Sequence, residues 1–102
     1  MRPIYYRLDE FGEAIPCDFL EGTRLLAMAE GRLVGRTRLP DGRMIATAFL
    51  VFDHAPFAKR PVLFDTVLYG ADGTERVIAR YSNRREAERG HSEFASLIRL
   101  LG

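Results

Sequence analysis

At 102 residues, with 47% hydrophobic and 28% charged side chains, the chain has room for one domain around a single core, and its balance is not that of a disordered protein. The net charge of +1 is too small to assign nucleic acid as a partner by itself. The longest apolar run, Ile45 to Phe52, is interrupted by Thr47 and is too short to span a bilayer.

In chain order, "IYYRLD" (4–9) reads as a short strand, and "EFGEAIP" after it as a turn carrying Gly and Pro. Asp18 followed by Glu21 has capping-box spacing and predicts a helix from Phe19 to Glu30 that stops at Gly31. "LVGRTRL" (33–39) is extended, with Val34, Arg36 and Arg38 on one face and Leu33, Gly35, Thr37 and Leu39 on the other. "PDG" at 40–42 predicts a hairpin into a strand over 43–52. That strand is apolar on both sides, with Ile45, Thr47, Phe49 and Val51 opposed to Met44, Ala46, Ala48, Leu50 and Phe52. The small Ala46 and Ala48 predict that a helix approaches there.

A nine-residue loop at 53–61 is longer than a tight hairpin needs, and long loops on rigid scaffolds tend to carry function. "VLFDTVLY" (62–69) is a further strand, which "GADG" (70–73) turns into "TERVIARY" (74–81). Ser82 and Asn83 offer caps with Glu86 as the reciprocal partner. From Arg84 to Leu101 the residues Ala87, His91, Phe94, Ile98 and Leu101 form one stripe of an amphipathic helix. Gly90 beside it costs up to about 1 kcal/mol relative to Ala, which predicts close approach of the helix to a neighbour.

These elements predict an α+β fold: a curled antiparallel sheet of four to five strands in meander order, a C-terminal amphipathic helix and a shorter N-terminal helix. No repeat, low-complexity tract or linker divides residues 1–102, so a single domain is expected. The N-terminus lacks the apolar core of a signal peptide and Cys17 has no partner for an internal disulfide, which predicts a cytoplasmic protein.

Charge is unevenly spread. Residues 1–30 carry three Arg against six Asp/Glu, residues 31–60 six Lys/Arg against two Asp, and residues 61–102 six against six. The basic middle third supplies the candidate binding residues Arg36, Arg38, Arg43, Phe57, Lys59 and Arg60. With Arg32, the hairpin arginines would form a stripe able to meet phosphates. No Tyr or Phe lies between residues 20 and 48, so base stacking on that stripe would lack a platform.

His54 at a strand end and His91 on the inner face of the last helix are expected near Asp53, Asp65 and Arg80, forming a polar network that fixes the helix on the sheet. A His-Asp pair is also the makings of a general base. No nucleophile elbow accompanies it, and Ser82 reads as a cap. A metal would need three or four converging ligands, and the spacing of His54 and His91 matches no known pattern, so neither a metal nor a cofactor is expected. The strands over 43–52 and 62–69 are apolar on both faces, and if both helices pack on one side, Ile45, Phe49, Val51, Phe64 and Leu68, or their opposite-face neighbours, form an exposed patch of the kind that marks an interface.

"FDH" at 52–54, "PVLFDT" at 61–66 and "RYSNRREAERGH" at 80–91, in this order after an apolar strand, resemble a family of small proteins found in phages, prophages and actinobacterial genomes. The resemblance covers about residues 43–95. Asp53, His54, Phe64, Thr66, Arg80, Tyr81, Glu86, Ala87, Gly90 and His91 fall on its motif positions, while Asp65 stands where the family usually has Glu and Phe52 where it has Leu. The family's glycine-rich loop is here "APFAKR". No enzymatic activity is established for that family, so the resemblance implies a setting and no mechanism. Together these readings predict a non-catalytic accessory protein that binds another protein, either a second copy of itself in a homodimer or a bacterial host complex such as a defence system that it inhibits or modulates. A nucleic-acid binder using the basic 32–60 surface is the alternative, and a His-dependent hydrolase the third.

Overall fold

Three times the chain reverses through the same five-residue closure. Leu39 N–H donates to Arg43 O at 2.8 Å and Gly42 N–H to Leu39 O at 3.1 Å; Gly70 pairs with Thr74 at 2.8 Å and Gly73 with Gly70 at 3.0 Å in the same pattern; Asp9 pairs with Glu13 at 2.8 Å and Gly12 with Asp9 at 3.0 Å. In each the fourth residue is a glycine at φ 92, 88 and 80, the left-handed position that closes a three-residue hairpin loop and that a Cβ would strain. Two of these hairpins are the expected ones. The third corrects the reading of residues 10–16 as a plain turn, because its outgoing arm is a strand.

The computed structural model describes residues 2–28 and 30–101. The elements are β1 (Tyr6–Leu8), β2 (Ala14–Pro16), α1 (Phe19–Leu26), β3 (Leu33–Arg38), β4 (Met44–Phe49), β5 (Phe64–Tyr69), β6 (Glu75–Tyr81) and α2 (Arg84–Leu101). The fold is α+β: an antiparallel four-stranded meander in the order β3-β4-β5-β6, with β1 and β2 as a separate two-stranded sheet. The first strand therefore does not enter the main sheet. It touches the chain leaving β4 through an isolated Tyr5–Phe52 bridge and a Tyr6 N–H to Val51 O bond of 2.7 Å.

Helix α1 begins where expected, with Asp18 accepting from Glu21 N–H at 2.8 Å, but it closes at Ala27, short of the expected stop at Gly31. Strand β4 ends early as well. Val51 takes φ 74, which breaks the extended run that the pattern carried through to Phe52. At α2, Asn83 Oδ1 accepts from Glu86 N–H at 2.9 Å, and the Glu86 carboxylate accepts from Ser82 N–H at 3.2 Å, one residue before the position a standard capping box uses.

Helix α2 runs back across one face of the meander and packs on β3, β4, β5 and β6. Beneath it Ile45, Thr47, Phe64 and Thr66 are fully buried and Phe49 nearly so. Past the end of the sheet the core continues through Val51, Leu63, Tyr6 and Ala87, with Leu25 of α1 packed against it. Gly90 supplies the close approach its position predicts: a Cβ there would overlap the Tyr81 ring. Gly35 of β3 does the same under His91, whose ring would stand 3.1 Å from a Cβ.

Two expectations about faces are corrected. The approach of α2 is on the face of Ile45, Thr47 and Phe49, and Ala46 and Ala48 point the other way. A bulge between Leu33 and Gly35 shifts the alternation of β3, so Leu33 joins Arg36 and Arg38 on the outer face and is 48% exposed, while Val34 packs against the core. At the far end of the helix stripe, Leu101 is exposed, since α2 there runs beyond the sheet it covers.

Candidate docking face

Among the described residues, the face of the meander away from α2 has nothing of comparable size across it. Helix α1 packs on β1, and the β1–β2 hairpin prolongs the core at one end. Directly paired residues in adjacent antiparallel strands point to the same side, so the register fixes the composition of this open face. One rung holds Arg38, Met44, Tyr69 and Glu75; the next holds Arg36, Ala46, Val67 and Val77; the third holds Leu33, Ala48, Asp65 and Arg80. The middle two strands give a band that is apolar apart from Asp65, and the outer strands carry most of the charge. Val77 is 45% exposed. Among the described residues none of Arg36, Arg38, Glu75 and Arg80 joins an ion pair.

Asp65 is half-buried on this face. Its burial pushes the carboxyl above the usual range, against the pull of His54, Arg80 and Arg32 nearby, and among the described residues no donor reaches it. His54 stacks on Phe52, ring centroids 4.2 Å apart. Its partial burial lowers the imidazole pKa, Asp65 works to raise it, and Arg80 lowers it further.

The five residues expected in one network divide into three settings. His91 lies on the covered face, where Thr37 Oγ1 meets its Nε2 at 2.9 Å and Thr47 Oγ1 its Nδ1 at 2.8 Å. From Thr47 the hydroxyl chain continues to Thr66 at 2.5 Å and from Thr66 to Tyr81 at 2.9 Å. These are the groups that fix the helix on the sheet, and of them the sequence reading named His91 alone. His54, Asp65 and Arg80 sit together on the other face. Asp53 belongs to neither: it is buried and anchors the 53–61 loop, accepting from Ala55 N–H at 2.9 Å, Val62 N–H at 3.0 Å and Arg2 Nε at 2.8 Å. Burial works to raise the Asp53 pKa, but those two amides and the guanidinium outweigh it and hold the carboxyl below the usual range. Arg2 also donates to the carbonyls of Ala55 and Ala58, so the loop is closed around one arginine.

The expected binding residues are likewise dispersed. Arg36 and Arg38 stand on the open face. Arg43 pairs with Asp41 at 2.7 Å and lines a cavity with Leu39 and Ile98 on the α2 side. Arg60 pairs with Glu86 of α2 at 2.7 Å, tying the loop to the helix start, while Phe57 projects from the loop fully exposed and Lys59 is exposed. Strand alternation separates Arg43 from Arg36 and Arg38, because it lies an odd step away from Met44 on the other side of the pleat.

Chemically, the covered histidine has two hydroxyls as its hydrogen-bond partners among the described residues. Burial alone lowers its pKa, among the described residues no carboxylate bonds the ring, and Thr47 beside it is wholly buried, out of reach of a substrate. The Cys17 thiol is pushed up by burial and by Glu21 and Asp18, opposite to what a nucleophilic thiol requires. Among the described residues no three of His, Cys, Asp and Glu converge, and no helix is long and apolar enough to cross a membrane. Comparison with family models, curated proteins and solved structures finds no match to this chain.

Proposed function

We propose that this chain is a cytoplasmic, non-catalytic protein-binding module that docks through the open face of its meander. The observation that carries this reading is that one long helix covers one side of a sheet whose central strands are apolar on both. Met44, Ala46, Val67, Tyr69 and Val77 are left as a continuous band, and such bands mark association sites. The sheet edges are less suited to the task, because β3 and β6 each pair through a bulge and carry exposed arginines, features that discourage strand addition. Nucleic acid fits this face poorly, since among the described residues the four strands offer it Tyr69 as a ring for stacking, and the rings beside them, Phe52 and His54, are stacked on each other. In the phage-type setting that the sequence resemblance implies, the natural role is that of an accessory protein acting on a host complex or on its own kind.

The test is photo-crosslinking in living cells with benzoylphenylalanine placed at Tyr69 on the open face and, separately, at Phe57 on the loop. An adduct with a polypeptide from position 69, and none or much less from position 57, is the expected result. Adducts from position 57 with none from position 69 would move the binding site to the loop and overturn the reading.

A further inference from the structure

One rung of the open face has a property that random surface rungs lack: it is the complement of its own mirror order. Reading outward from β3, the first rung is Arg38, Met44, Tyr69, Glu75. Laying a second copy face to face about a two-fold axis parallel to the strands, between β4 and β5, sets β3 over β6 and β4 over β5 of the other chain, rung on rung. Arg38 then meets Glu75 of the second copy and Glu75 meets its Arg38. Met44 meets Tyr69, a thioether against an aromatic ring. In the next rung the small Ala46 meets the branched Val67, so large opposes small beside the axis, and at the rim Arg36 lies over Val77. In the third, Asp65 lies over the small Ala48 of the second copy, with Arg80 and His54 of its own chain beside it, and Leu33 lies over the aliphatic stem of Arg80.

We infer, resting on the docking reading above, that the occupant of the open face is a second copy of this chain, packed sheet on sheet about that axis. The unpaired state of Arg38 and Glu75 in the single chain supports this: each is exposed and lacks an ion-pair partner among the described residues, and the two-fold supplies one to both. The size is adequate for a modest dimer. Four strands of about six residues span roughly 20 by 20 Å, or on the order of 400 Å² in plan on each copy before pleat and side chains are counted. That places the pair near the lower bound of about 1,000 Å² of total buried surface for a specific interface, so a dissociation constant in the micromolar range is expected.

Sedimentation velocity of the purified full chain tests this. The chain is expected at twice its 11.6 kDa mass at about 100 micromolar, dissociating on dilution. Val67→Arg, which puts a charge at the centre of the contact, should leave only monomer while its circular dichroism stays that of the parent and its melting matches that of the diluted, dissociated parent. Arg38→Glu and Glu75→Arg each place like charges together at both rims, and each alone should weaken the dimer about tenfold. Mixed in equal amounts, these two variants should form a heterodimer of nearly parental affinity, because both crossed pairs are then opposite in sign. A dimer set through any other surface would show no such restoration, and that result, or a monomer at every concentration, would overturn the inference. Failure here is separable from failure of the docking reading: a monomeric chain that still gives an adduct of some other mass from position 69 keeps the face as a docking site and removes the second copy from it.

Discussion

Protonating His91 would place a charge where its hydrogen bonds do not resist it. With one ring proton, the neutral imidazole lets the hydroxyls point one way along the chain, from Tyr81 through Thr66 and Thr47 to Nδ1, or the other way from Thr37 inward. A doubly protonated ring could donate to Thr37 and Thr47 together and leave the remaining bonds intact. Burial is therefore the one cause that lowers its pKa. His54 is lowered too, by its partial burial against Phe52. Linkage sets the sign: above the ordinary histidine value of 6.5 both states are neutral and stability is full, and as pH falls below that value the unfolded chain takes up protons that the folded chain resists. Denaturant unfolding at pH 7.5 and pH 5.5 should show lower stability at the acid value. Replacing His54 by Gln should reduce that difference, and replacing both histidines should remove most of it.

At the scale of elements, the 53–61 loop is held by a buried carboxylate and an arginine from the far end of the chain. Asp53→Ala removes the acceptor for two amides and a guanidinium and should cost about 3 kcal/mol, since charged hydrogen bonds at a buried site are the expensive ones to lose. Limited proteolysis would show cleavage between residues 55 and 60 before the rest of the chain is cut, and equilibrium unfolding would give the loss directly. The sequence made the loop visible because Asp53 closes an apolar run and Pro56 and Pro61 punctuate the stretch behind it. Arg2, by contrast, carried no sign of its role: 51 residues separate it from Asp53.

The meander and the terminal helix were legible for a related reason. Their signals are local, namely turn glycines, caps and alternation. What escaped was set by contacts between distant segments. The β1–β2 hairpin did have a local mark, the glycine at the fourth position of Asp9–Glu13, which recurs in the two expected turns. The bulge in β3 and the choice of which face α2 covers had none, because Ala46 and Ala48 fit a helix overhead as well as an uncovered surface. The hydroxyl chain was likewise hidden, since threonines in strands are ordinary residues until a histidine from a helix is laid over them.

For the whole molecule, the radius of gyration is 14.2 Å, against about 13 Å for a compact chain of this length, and the long axis measures 43 Å against 27 and 25 Å. The elongation accords with a construction in two parts, a meander clamped by α2 and an N-terminal hairpin with α1 continuing the core at one end. Central strands under a helix and a terminal hairpin joined by a few bonds should open at different free energies. In native-state hydrogen exchange the amides of β4 and β5 are expected to be slowest, with those of β1 and β2 exchanging at least about tenfold faster. Equal rates in both parts would mean that the chain opens as one unit and that the N-terminal segment is integral to it.

Val51 joins the two parts, and it serves two masters. Its backbone sits in the left-handed region, which suits glycine and strains a β-branched residue, while its side chain is wholly enclosed and fills space that glycine would leave hollow. No natural amino acid answers both demands, so each substitution surrenders one of them. Drift through neighbouring sequences is therefore blocked in both directions at position 51, and descendants of this chain should keep valine there long after the outward-facing positions of the sheet have diverged.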